Sequence, residues 1–136
     1  MSKTAVLATV FAIAIVTTAE AKTYRTSATM PGAVAMNGRM FAGPFSTVDA
    51  YCRSSSTAAI SIMQRPRHGV LSLGLGNGEI NMRKGSNLAR CNDLQTRGSF
   101  VSYTPRKNFR GSDVFKVLLS FEDGERRTVT FPVTVR

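Results

Sequence analysis

Two apolar runs with a period of two, separated by a short acidic glycine turn, constrain this chain more than any other feature. Phe115, Val117, Leu119 and Phe121 alternate with Lys116 and Ser120; Val129, Phe131, Val133 and Val135 alternate with Thr128, Thr130 and Thr134. Successive side chains of a strand point to opposite faces, so each run has one face for a core and one for water. Glu122-Asp123-Gly124-Glu125 lies between them and joins them as an antiparallel hairpin. A one-residue slip would expose the phenylalanines, which fixes the register. Pro132 removes one amide donor from the second run and is expected on an edge strand or at a bulge.

The same pattern extends upstream. Ala58 to Gln64 reads as a strand with Ile60 and Ile62 on one face, ended by Pro66. Gly69 to Leu75 places Leu71, Leu73 and Leu75 opposite Ser72 and Gly74. Gly76-Asn77-Gly78 is a hairpin-turn signal leading to a short strand near Glu79 to Met82. Ser99 to Thr104 supplies a further strand ahead of Pro105, and a first strand is placed around Arg39 to Ala42. No window after the amino-terminal segment supports a helix of ordinary length, so the expected class is all-β and antiparallel.

The wording of the punctuation is specific. Pro66-Arg67-His68-Gly69 is followed by Tyr103-Thr104-Pro105, then Phe109, Gly111, Asp113 and Phe115, then the Asp123-Gly124 turn and the valine-threonine strand. This resembles the bacterial immunoglobulin-like and cadherin-like tandem-repeat domains over roughly residues 58–135. The resemblance implies an immunoglobulin-like antiparallel β-sandwich of about seven strands. It also implies structural roles: Tyr103 burying its ring while its hydroxyl reaches backbone, Phe109 pinning its loop to the core, Gly111 at positive φ, Asp113 accepting loop amides. His68 is then a structural turn residue. Two departures stand out. The clustered aspartates of calcium-binding members are missing, so no calcium site is carried over. Residues 82–98 intervene between the glycine turn and the strand before Tyr103 as an insertion, and the repeat occurs once.

The amino terminus carries an export signal. Lys3 precedes the uncharged apolar run Ala5 to Val16, and Ala19-Glu20-Ala21 offers small residues where a signal peptidase reads, so residues 1–21 are expected to be removed before Lys22. Twelve apolar residues fall short of the roughly twenty that span a bilayer. No cysteine follows the cleavage site, which argues against a lipoprotein. The protein is expected in the periplasm or secreted, as a monomer. Residues 22–35, rich in Thr, Ser, Ala and Gly, read as a flexible leader, and residues 36–136 as the sandwich.

Two cysteines in an oxidising compartment are most simply a disulfide, Cys52 with Cys91. A Cys and His68 catalytic pair is the alternative on paper. Lys3 and Glu20 leave with the signal, so 17 of the 18 basic and 7 of the 8 acidic residues remain, a net charge of +10. That balance either favours an anionic partner, polysaccharide or lipid headgroup of the envelope, or serves solubility. Within the insertion, Arg83, Lys84, Arg90 and Arg97 are the candidate contacts for such a partner, because loops on a rigid scaffold are where binding residues sit. Nucleic acid is not the expected ligand.

Catalytic and cofactor patterns are not evident. Ser54 to Ser56 lack a nucleophile-elbow context and read as a polar loop. Glu122, Asp123 and Glu125 cluster at a hairpin tip, where acids serve turn chemistry. Gly74 to Gly78 is not followed by a phosphate-loop signature. The expected function is therefore a non-enzymatic, exported binding module of the cell envelope without cofactor or metal. The alternative is an accessory subunit that docks on a secreted enzyme or envelope complex.

Overall fold

The computed structural model describes residues 25–82 and 85–136. The signal segment 1–21 lies outside the described residues, as do Arg83 and Lys84. Among the described residues nine strands follow in order: β1 (Arg25–Thr29), β2 (Gly32–Val34), β3 (Met40–Val48), β4 (Ser54–Thr57), β5 (Ala59–Gln64), β6 (Gly69–Glu79), β7 (Gln95–Pro105), β8 (Gly111–Ser120) and β9 (Arg126–Val135). One 3-10 turn, Ala89–Cys91, precedes β7. One sheet has the order β1-β9-β8-β5, with β2 also on β9; the other has the order β4-β3-β7-β6. The two form an all-β sandwich. The expected number of about seven becomes nine, because the leader supplies two further strands and the serine run one, while the short strand expected near Glu79 to Met82 is not separate, β6 running on to Glu79.

The core is where the alternation placed it. Phe115, Val117 and Leu119 of β8 and Val129, Phe131, Val133 and Val135 of β9 are buried, and Phe115 sits directly across from Phe131 with ring centroids 4.7 Å apart. Tyr103 continues the stack onto Phe115 at 5.9 Å from the other sheet, beside buried Val101. Each such fully buried aromatic removes 150–250 Å2, roughly, from water. Lys116 and Ser120 lie on the outer face at intermediate exposure, as the hairpin register requires.

Four expectations are corrected. Residues 25–34 of the supposed flexible leader are strands, pairing parallel with β9 from Arg25↔Arg126 to Thr29↔Thr130 and from Gly32↔Val133 to Val34↔Val135. Small and β-branched residues that read as linker suit a strand once β9 offers an open side. Pro132 lies on an interior strand, not an edge. Met30 donates its amide to the Thr130 carbonyl, so the even-numbered backbone groups of β9 face β1 and β2, and the amide missing at Pro132 faces the break at Met30–Pro31.

Gly76-Asn77-Gly78 makes no turn. β6 runs straight through it, with Gly76↔Gly98, Asn77↔Arg97 and Gly78↔Thr96 in continuous register. Gly78, and Gly98 of the neighbouring β7, are required for clearance instead: a Cβ at Gly78 would stand 2.8 Å from Pro44 Cδ and 3.0 Å from Phe100 Cζ, and one at Gly98 2.6 Å from Pro44 Cβ. Ser54 to Ser56 lie in β4 instead of a loop, where Ser55 and Ser56 each share a 2.8 Å hydroxyl hydrogen bond with Thr47 of β3. Among the described residues no helix is long and apolar enough to cross a membrane.

Candidate functional site: a basic pole of the sandwich

The strand directions sort the charges. β3 and β6 begin, and β5, β7 and β9 end, at one end of the sandwich, since Gly69 pairs with Pro105, Met40 with Tyr103 and Gly111 with Val135. Three connections and the chain's last residue meet there: residues 35–39, 65–68, 106–110 and Arg136. They carry Arg39, Arg65, Arg67, Arg106, Lys107, Arg110 and Arg136. The opposite end holds Asp49, Glu79, Asp93, Glu122, Asp123 and Glu125 among its arginines, and both ion pairs of the described residues, Arg53 with Asp49 at 3.3 Å and Arg127 with Glu125 at 2.8 Å. Charge separated along the long axis gives the first end a strongly positive field.

Asp113 is the one acidic side chain at the basic pole among the described residues, and it is spent inward. Its carboxylate accepts the Arg67 amide at 3.0 Å, the His68 amide at 2.9 Å, the Val114 amide at 2.9 Å and the Tyr103 hydroxyl at 2.8 Å. Burial alone would push this carboxyl up, but the Arg67 and His68 amides, the Tyr103 hydroxyl and the Val114 amide together hold it below the usual carboxylate range. Burial and the neighbouring carboxylate push the Tyr103 hydroxyl far up, so it stays protonated as a donor. The expected Tyr103 contact to backbone is thus a contact to Asp113, while the expected role of Asp113 toward loop amides is observed.

The connections are tied to one another as well. Arg106 donates its amide to the His68 carbonyl at 2.7 Å. Phe109 stacks on the His68 ring at 4.3 Å and lies 6.0 Å under the Arg106 guanidinium. Asn37 and Asn108 exchange side-chain and backbone hydrogen bonds, and the Met36 amide reaches the Arg136 carbonyl at 2.6 Å. Gly111, at φ 133°, turns the chain from this loop into β8. A cleft of about 260 Å3 is lined by Arg67, His68, Gly69, Val70, Thr104, Pro105 and Arg106. The guanidiniums are therefore displayed on a braced frame, which limits the ordering cost of binding an anion. Arginine forks match carboxylate and phosphate oxygens in pairs.

The insertion is organised differently from expectation. Arg90 is committed to structure: its two terminal nitrogens donate to the Asn87 and Ala50 carbonyls, each at 2.6 Å, tying the segment to the loop of Cys52. Arg97 lies exposed on β7 itself, across from Asn77. Arg83 and Lys84 fall outside the described residues. Cys52 and Cys91 form the disulfide with Cα atoms 5.2 Å apart, and no described cysteine is free, which removes the Cys and His68 pairing. Among the described residues no three His, Cys, Asp or Glu side chains come together as a metal site would require. The pole escaped the sequence reading because its basic residues come from four separate stretches, none of them a charge run. Comparison with family models, with curated proteins and with solved structures returns no match.

Proposed function

We propose that this protein is an exported, non-enzymatic binding module of the cell envelope whose basic pole recognises an anionic envelope component through its phosphate or carboxylate groups. The observation that carries the reading is the convergence of seven basic side chains at one end of the sandwich, where the one acid present is buried and consumed by hydrogen bonds. The immunoglobulin-like resemblance fits a rigid scaffold displaying such a surface, and the disulfide fits an oxidising compartment.

Binding of the purified protein to lipopolysaccharide and to polygalacturonate, with dextran as neutral control, tests the reading across a salt series. Affinity for one of the anionic polymers should fall steeply as salt rises, as expected for exposed charges. Replacing Arg67, Arg106 and Arg110 together with Ser should abolish it, while replacing Arg97 should leave most of it. Binding that ignores both salt and the triple replacement overturns the proposal. A second reading, an accessory subunit docking on a larger envelope complex, is favoured by the open edge of β6; an obligate subunit would not elute alone in size exclusion.

A further inference from the structure

Of the four sheet edges, three carry devices that discourage strand addition. β4 is a four-residue strand preceded by Arg53; β5 is bulged between Ile62 and Gln64 and followed by Arg65-Pro66; the β1 and β2 edge is broken at Met30–Pro31. Such short, bulged, charged or proline-bearing edges resist pairing with other chains. β6 has none of them. It runs eleven residues without a bulge, and from Gly69 to Gly78 it holds no charge and no proline. Val70, Leu73 and Leu75 are 68%, 45% and 59% exposed along it.

We propose that β6 pairs antiparallel with β6 of a second copy of this chain, about a two-fold axis at Leu73. The backbone is prepared for that register. The Arg106 amide bonds the His68 carbonyl and the Ile80 amide bonds the Leu94 carbonyl, so even-numbered residues of β6 face β7. The N–H and C=O groups of Gly69, Leu71, Leu73, Leu75 and Asn77 therefore point outward. Antiparallel strands exchange two hydrogen bonds at every second residue pair. Centring on Leu73 joins these residues to one another: Leu73 to itself, Leu71 to Leu75, and Gly69 to Asn77.

The side chains agree with the same axis. Leu71, Leu73 and Leu75 of both copies share one face, and exposed Val70 comes opposite Gly76, whose missing side chain leaves room beside Phe100. Beyond the paired residues, Glu79 at the end of β6 comes to the side of the second copy where the basic segment before Gly69 lies. An antiparallel arrangement also sets the two basic poles at opposite ends, each next to the mixed-charge end of the other copy. The net charge of +10 per chain thus opposes this geometry least. The dimer does not depend on the anion-binding reading, and it would join the two four-stranded sheets into one while presenting two poles.

Sedimentation of the purified protein without ligand, from low micromolar to millimolar concentration, tests the inference. A dimer that persists or tightens as salt rises is expected, opposite to the trend expected for anion binding. Leu73→Lys, at an exposed position, should give a monomer that melts with the parent at dilutions where the parent is also monomeric, because two like charges would face each other across the axis. Amide exchange supplies an independent readout in the unaltered protein: Leu71, Leu73 and Leu75 amides should become protected as concentration rises, whereas Ser72 and Gly74 amides are protected throughout. A monomer at every concentration, a dimer unaffected by Leu73→Lys, or no concentration dependence at the three leucine amides overturns it.

Discussion

The Tyr103 hydroxyl donates to Oδ2 of Asp113 at 2.8 Å, linking the centre of the apolar core to the carboxylate that organises the basic pole. Tyr103 is fully buried and stacks on Phe115, so the ring that packs the core also satisfies an acid at its rim. The two loops bearing Arg67 and Arg106 hang from this pair, the first by its amides on Asp113 and the second by the Arg106 amide on His68. Core packing and surface charge are in this way parts of one arrangement.

Asp113 makes the fold sensitive to acid. Its carboxyl is held below the ordinary range in the folded protein, so the unfolded chain binds the proton more readily. Its contribution is complete above the unfolded value near 4, roughly, and is lost as pH falls through the lower folded value. Asp113→Asn leaves facing amides without a charged acceptor and should cost about 2 to 4 kcal/mol at neutral pH. Thermal melts from pH 7 to pH 3, roughly, should show a shallower acid loss in the variant than in the parent. Tyr103→Phe keeps the stack and should cost less, about 1 to 2 kcal/mol.

Phe115 and Lys116 are neighbours with opposite fates. Phe115 is fully buried between Tyr103 and Phe131, and Lys116 faces outward from the same strand. Phe115→Ala should lower stability by about 3 to 5 kcal/mol, the transfer loss plus an unfilled cavity. Lys116→Ala should change it by less than about 0.5 kcal/mol. Denaturant melts of the two variants check the register; equal losses would contradict it.

The disulfide has a quantitative consequence. Cys52 and Cys91 are 39 residues apart in sequence, and closing a loop of that length in the unfolded chain contributes on the order of 4 kcal/mol by chain entropy. Cys91 is fully buried, and Arg90 beside it bonds the Ala50 carbonyl, so the bridge sits within a larger attachment of residues 85–94 to the loop after β3. Replacing both cysteines with Ser should lower stability by about 2 to 5 kcal/mol and leave the β8 and β9 hairpin in place. Mass spectrometry of the unreduced protein should show no alkylatable thiol.

What the sequence revealed divides along a physical line. The β8 and β9 hairpin was legible because sustained alternation records burial directly, and Phe115, Phe131 and Val133 lie where that pattern puts them. Residues 25–34 were not, since an extended segment of Thr, Ser, Ala and Gly becomes a strand through the backbone partner that β9 supplies. Leu73 and Leu75 share the inward periodicity of Leu71 yet stay exposed, because periodicity gives the face of a strand and not whether the opposite sheet covers it. The basic pole was equally hidden: Arg67, Arg106 and Arg136 are distant in sequence, and only the strand directions bring them to one end. In the insertion the composition was visible, but the use of Arg90 as a tie between carbonyls was not.

Glycines along β6 and β7 provide a sharp test of the strand that replaced the expected turn. A turn at residues 76–78 would need glycine for backbone conformation, whereas the observed strand needs it for space around Pro44 and Phe100. Gly78→Ala would drive its Cβ against both rings, and Gly98→Ala would meet Pro44 and the Phe45 amide nitrogen at 2.9 Å. Each should cost about 1 to 3 kcal/mol through overpacking. Gly74→Ala lies in the same strand with nothing within 4 Å of the added atom. Its φ is not in the left-handed region, so alanine should stabilise the strand by about 0.4 to 1 kcal/mol by restricting the unfolded chain. Thermal melts of the three single variants check the ordering, and a Gly74→Ala loss as large as that of Gly78→Ala would place the turn back in this segment.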